Sequence, residues 1–268
     1  MPQARFWAEM TTNDFLARDM TRAIAVLPFA ATEQHGPHLP LGTDTIIMDG
    51  YLARVIARLP DELPVFFLPV QDCGLSVEHT GFPGTISLSA RTVIRAWTEL
   101  CESVHRTGCR KLVLLSAHGG NNPVLETIAH NLRARLCMLV VIASWRRFGT
   151  PDGLFSAHEL THGIHGGEVE TSLMLAFRPD LVRLDQAEDF PCLSAEMERT
   201  FNSLSTNRPA GFGWMAQDLS ASGAVGNAAG ATACKGNACA DYGATAFIEL
   251  LQNIDGFELT RLKDGPLP

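Results

Sequence analysis

Glu33, His35, His38 and Asp44 fall close together in VLPFAATEQHGPHLPLGTDT, residues Val26 to Thr45, directly after an apolar run. A carboxylate, an imidazole and a second carboxylate form a borderline-to-hard donor set, suited to Zn²⁺, Mn²⁺ or Fe²⁺ and poorly suited to Ca²⁺ or Cu⁺. Gly36, Pro37 and Pro40 bar any regular element before Gly42 and Asp44, so the stretch reads as a metal-binding loop. His38, between two prolines, reads as a turn residue or an outer partner rather than a ligand. Alone, Glu-x-His-x8-Asp is a weak pattern that a polar surface loop could also carry.

Two further segments answer it. His118 stands in SAHGGNNP at the end of the apolar run Lys111 to Ala117, with glycines that let backbone approach a ligand closely. His165, Glu168 and Glu170 stand in HGGEVETS before a short apolar helix. If that helix starts near Gly166, Glu168 falls in its first turn and can aim at the site, while Glu170 points elsewhere, able to hydrogen-bond a ligand histidine from outside. Glu78 and His79, in a glycine-rich loop, read as outer or substrate-facing residues.

The elements that position these groups follow from periodicity. Ala23 to Phe29, Pro64 to Val70, Lys111 to Ala117 and Met138 to Ser144 are short and rich in Val, Ile and Leu, the pattern of strands buried on both faces. Helical spacing appears in Thr45 to Leu59, from the Ser89 cap to His105, in Val124 to Leu136 and in Asp241 to Ile254. Trp145 to Gly163 reads as an irregular lid and Leu181 to Gly230 as loops able to form a subunit interface. Strands alternating with helices imply a parallel sheet, whose βα junctions share one edge. Glu33, His35, Asp44, His118 and Glu168 can therefore converge there. Five ligands exceed one tetrahedral site and suit two metal ions, with Asp44 bridging and His165 left to protonate the departing nitrogen.

Composition bounds the rest. The 268 residues leave room for a large core, and no linker divides them, so residues 1–268 are expected to form a single domain. A formal charge of −8, with no basic cluster, argues against nucleic acid or an anionic membrane as partner. No apolar run approaches the ~20 residues that span a bilayer, and seven cysteines without CxxC spacing read as free thiols, so a cytoplasmic location is expected. Cys234 and Cys239, in a stretch of small residues, read as structural or incidental.

The segments EQHGPHLPLGTDT, GFPGT, SAHGGNN, HGGEVETSLML and SGAVGNAAGATACKG resemble, in that order, the creatininase (creatinine amidohydrolase) family over nearly the whole chain. The resemblance implies an α/β fold, a single-domain three-layer α/β/α sandwich with a mainly parallel sheet. It also implies a binuclear site of Zn²⁺, Mn²⁺ or Fe²⁺ and commonly a homohexamer. By motif, Glu33, His35, Asp44 and His118 match the family's ligands, Glu168 the glutamate of the His-x-Gly-Glu motif, and His165 the proposed proton donor. Creatininase itself carries a glutamate ligand two residues after its third-motif histidine, where this chain has Gly120. That places the chain with the broader family, whose members also cleave formamides in pyrimidine-precursor metabolism or trim a peptide during cofactor maturation.

The expected function is a metal-dependent amidohydrolase cleaving a cyclic or linear amide C–N bond of a small substrate, with a metal-bridging water as nucleophile and His165 and Glu168 as catalytic groups. A formamide deformylase and a cofactor-maturation peptidase are alternatives within the family. A metal-dependent isomerase or lyase would need a sugar-like substrate, and no phosphate-binding glycine loop supports it. A binding protein with structural metals fits poorly with an open, carboxylate-rich donor set.

Overall fold

In a computed structural model, which describes residues 5–207 and 209–265, β-strands and helices alternate through the first half of the chain. They are α1 (Thr12–Leu16), β1 (Ile24–Phe29), α2 (Thr43–Ile56), β2 (Val65–Phe67), α3 (Ala90–Arg106), β3 (Lys111–Ser116), α4 (Asn122–Leu136) and β4 (Leu139–Ser144). Helices α5 (Ala157–His162), α6 (Glu168–Phe177), α7 (Leu193–Thr200), α8 (Ala216–Leu219) and α9 (Ala233–Asp255) complete the framework.

The four strands form one parallel sheet in the order β2-β1-β3-β4. Period-two side-chain alternation divides β1 between two cores. Ile24 and Val26 pack with α2, α6 and α9, whereas Ala25, Leu27 and Phe29 pack with α3 and α4. Val113 and Leu115 against Leu112 and Leu114 repeat the division in β3. These residues are almost wholly buried, and each such side chain contributes about 1.5–3 kcal/mol of transfer free energy. The expected α/β architecture, with helices on both faces of a mainly parallel sheet, is therefore the one observed.

Register decides where the functional loops begin. Phe29 pairs with Ser116 and Ser116 with Ser144, so the loops after β1, β3 and β4 leave the sheet side by side. Among the described residues no helix is long and apolar enough to cross a membrane.

Several boundaries differ from expectation. β2 ends at Phe67, because the following segment contains Pro69, which has no N–H for a ladder. α5 adds a turn of helix to the expected lid, capped by the Ser156 hydroxyl accepting from Glu159 N–H. The 181–230 region contains α7 and α8 as well as loops. α9 starts at Ala233, well before Asp241, with Thr232 as its cap. Small residues there serve packing rather than looseness: a Cβ on Gly236 would strike the Ser172 carbonyl, and one on Gly243 would lie 2.7 Å from the Tyr51 ring.

Candidate metal centre

The loop after β1 turns at Gly36, whose φ of +73° and whose closeness to Ala224 (2.6 Å from an ideal Cβ) leave no room for a side chain. The turn points His35 back towards the sheet edge. His35 Nδ1 lies 3.0 Å from the Glu33 carbonyl oxygen, which accepts its N–H and leaves Nε2 facing inward. There it stands 3.5 Å from Oδ1 of Asp44, in the first turn of α2, and 3.8 Å from Oε2 of Glu170.

His118, just past β3, is set the opposite way round. Its Nε2–H donates to the Leu75 carbonyl at 2.9 Å, so Nδ1 faces the centre, 3.1 Å from Glu33 Oε1 and 3.5 Å from Asp44 Oδ2. Glu33 is the hub: its Oε1 also lies 3.6 Å from His79 Nε2 and 3.7 Å from His165 Nδ1, and its Oε2 accepts the Ser76 hydroxyl. The rings of His35, His165 and His79 lie in sequence, each 4.2 Å from the next.

Electrostatics separate these histidines into two sets. Burial disfavours the imidazolium of His35, but the facing charges of Asp44, Glu170 and Glu33 outweigh it and raise its pKa to about 9. His118 goes to about 10 for the same reason, with Glu33, Asp44 and Glu78 overcoming burial. Burial prevails at His79 and His165, with a neighbouring imidazolium adding to it, and lowers them to about 2 and about 4. Asp44 rises to about 6 through burial and repulsion from Glu33, whereas the surrounding histidines hold Glu33 well below the usual carboxylate range against its own burial.

The donor set fits divalent metal. His35 Nε2 and Asp44 Oδ2 are buried without hydrogen-bond partners, an expensive condition for polar atoms that a cation would relieve. Three triplets, Glu33/His35/Asp44, His35/His165/Glu170 and Glu33/His79/His165, each offer ligand atoms within 4.8 Å of one another. Their mixture of nitrogen and oxygen donors is that expected of Zn²⁺ or Mn²⁺.

Of the residues singled out from sequence, Glu33, His35, Asp44, His118 and His165 meet here. Glu168 does not. It is the first residue of α6, and its carboxylate accepts the Lys235 ammonium, which also donates to the Gly230 carbonyl. Glu170 reaches the centre instead, its Oε2 accepting Gly166 N–H at 2.6 Å while facing His35. Two helical residues two positions apart differ by about 200° in direction, so only one of this pair can face inward, and in α6 that residue is Glu170.

His79 is the other residue that joins the centre unexpectedly; the GFPGT motif beside it was the signal available. His38 is buried and hydrogen-bonds through Nε2 to the Thr171 hydroxyl at 2.9 Å, an outer position as expected. Cys239 is buried beside Tyr51 and Cys234 is exposed, so the two form no site. Gly120 has no space for a side chain, since an ideal Cβ would lie 2.4 Å from both Glu78 Oε1 and His118 Nε2. A cavity of about 940 Å³ opens on the centre, lined by Glu33, Asp44, His118, His165 and Glu170 and by Arg146, His162 and Trp214.

A family model described as creatinine amidohydrolase matches residues 8–251. The chain belongs to the creatininase family. Its structural similarity to a putative creatinine amidohydrolase of Bacteroides fragilis has a TM-score of 0.79 at 24% identity, covering 96% of this chain and 99% of that one. Creatininases in a Zn–Zn and a Mn form share the fold, at TM-scores of 0.74 and 0.75. In sequence the chain is 32% identical over 208 residues to the creatinine amidohydrolase of Pseudomonas putida, covering 71% of this chain and 78% of that one. It is also 32% identical over 165 residues to the mycofactocin precursor peptide peptidase of Mycolicibacterium smegmatis. That match spans 61% of each chain, so this creatininase-family protein aligns with about three fifths of the peptidase.

Proposed function

We propose that this protein is a metal-dependent hydrolase of amide C–N bonds, in which Glu33, His35, Asp44, His118 and Glu170 hold two divalent ions. The observation that carries the reading is the buried convergence of carboxylates and imidazoles in which His35 Nε2 and Asp44 Oδ2 have no other partner. Membership of a family with Zn–Zn and Mn creatininases supports it. Such ions supply an acidified water for attack and a Lewis acid for the carbonyl.

The chain's own residues supply orientation and proton transfer. Asp44 presents one oxygen to His35 and the other to His118, so a single carboxylate spans both halves of the site. Backbone carbonyls of Glu33 and Leu75 fix the two imidazoles in opposite tautomers, each with its free nitrogen inward. His165 donates from Nε2 to the Gln34 carbonyl at 2.6 Å, which leaves Nδ1 available on the cavity wall to carry a proton to the departing nitrogen.

A cavity of about 940 Å³, within the ~300–1,000 Å³ usual for ligand pockets, has room for a small cyclic amide and for a short peptide alike. The same reading takes the protein as a cytoplasmic homohexamer, supported by unpaired cysteines and by exposed apolar side chains at Leu184, Phe201 and Phe212.

The test is metal content per chain by elemental mass spectrometry, with hydrolysis assays on creatinine, a formamidopyrimidine and a short peptide. About two ions and metal-dependent turnover of one of them are expected. One ion or none, without turnover, would overturn the reading.

A further inference from the structure

Glu159, on α5, is 2% exposed, and among the described residues no basic side chain pairs with it. Its carboxylate accepts backbone instead. Oε1 takes the N–H of Glu168, the first residue of α6, at 2.6 Å, and Oε2 takes the N–H of Asn227 at 2.9 Å. Three glycines make room for it: an ideal Cβ on Gly163, Gly167 or Gly226 would lie 2.1, 2.4 or 2.8 Å from Oε1. Any side chain at these positions would displace the carboxylate.

The segments joined in this way enclose His165. Its carbonyl accepts Val225 N–H at 2.8 Å, two residues before Asn227, whose N–H Glu159 accepts, and Gly163 and Gly167 lie two residues to either side of His165. Glu170 leaves the same junction one helical step later and ties Gly166 N–H to its own Oε2. Both side chains that this part of the chain sends to the centre thus depend on backbone bonded to one buried carboxylate. α5 itself contributes Leu160, Thr161 and His162 to the cavity wall.

We propose that Glu159 is a positioning residue that holds His165 and Glu170 against the Glu33/Asp44 centre and fastens the α5 wall of the cavity to them. The inference rests on reading that centre as a metal site. Glutamine at 159 keeps the volume but sets an amide donor against a backbone N–H, which leaves that pair unsatisfied.

The experiment pairs hydrogen–deuterium exchange with Zn²⁺ and Mn²⁺ titration of wild type, Glu159→Gln and Glu159→Asp. In Glu159→Gln, amides of 163–168 and 225–227 are expected to lose protection while β1 and β3 keep theirs. One ion should bind as in wild type, and the other about 10–100-fold more weakly, the usual loss for an outer partner. Glu159→Asp, which keeps the charge one methylene shorter, should show the same pattern more mildly, and it serves as the test if the glutamine variant does not fold. Wild-type protection and wild-type affinity for both ions would overturn the proposal, as would protection lost uniformly over the whole fold. Failure of the wild type to bind either metal would instead refute the metal-site reading, and the exchange pattern would still decide whether Glu159 organises the junction.

Discussion

Glu33 Oε1 lies 3.1 Å from His118 Nδ1, although the two residues stand on loops that leave different strands of the sheet. Glu33 is almost wholly buried and has two more imidazole nitrogens within 3.7 Å of the same oxygen, so its charge organises the site.

Glu33→Gln removes that charge at constant volume, and His118→Ala removes its nearest partner. Either should weaken metal binding by more than the roughly 10–100-fold that loss of an outer partner costs. Elemental analysis after chelator competition is the check; a full metal complement in either variant would strike that residue from the ligand set.

Glu168→Gln and Glu170→Gln should separate cleanly. The first leaves the metal content unchanged and costs about 1–3 kcal/mol of stability, between a surface and a buried pair, because Lys235 is 31% exposed. The second should lose an ion with a smaller change in urea midpoint. The reverse pattern would return Glu168 to the centre.

Metal uptake should release protons. At neutral pH, His35 with a pKa of about 9 and His118 with one of about 10 are charged, and only neutral imidazole ligates. Since the metal competes with these protons, affinity should rise with pH until about pH 9–10. Calorimetry at pH 7.5 in buffers of different ionisation enthalpy should report about two protons per chain, from those two groups. A value of zero would show that both rings bind already neutral.

His38 should make the metal-free protein acid-sensitive. Its burial, aided by the charge of His35, lowers the pKa to about 4, below the 6.5 of an unfolded histidine. Between those values the unfolded chain binds more protons, so stability is full above about pH 6.5 and declines towards pH 4. His38→Gln, which keeps a hydrogen-bonding group for Thr171, should flatten the fall of Tm over that window. Equal slopes for variant and wild type would reject the assignment.

Leu184 is 56% exposed and Phe212 38% exposed, both within the 181–230 region. If that region forms a subunit interface, light scattering should give a multiple of 29.1 kDa, and Leu184→Ser with Phe212→Ser should reduce it. A monomeric wild type would end the oligomer reading.

Sequence by itself determined the main strands and most of the side chains that meet at their edge. The runs that became β1 and β3 are apolar enough to be buried on both faces, whereas β4, expected to be buried alike, lies at the sheet edge with Leu139 to Ile142 only half-buried; parallel strands linked by helices must release their following loops at one edge. Glu33, His35, Asp44 and His118 all lie on such loops or in the first turn after one, so their convergence followed from connectivity alone.

Tertiary structure decided the rest, for reasons of angle and packing. Whether Glu168 or Glu170 faces inward depends on how α6 packs against the sheet edge, where Glu168 meets Lys235 and Glu170 meets His35. His79 enters the centre because Gln34 and Glu33 meet it there, across loops whose separation no local pattern encodes. Helical spacing is legible in sequence only from Asp241, yet α9 starts at Ala233, where its small residues let α6 and Tyr51 pack closely against Gly236 and Gly243. Local propensity reports only what neighbours in sequence prefer, and each of these outcomes was fixed by atoms remote in sequence and adjacent in space.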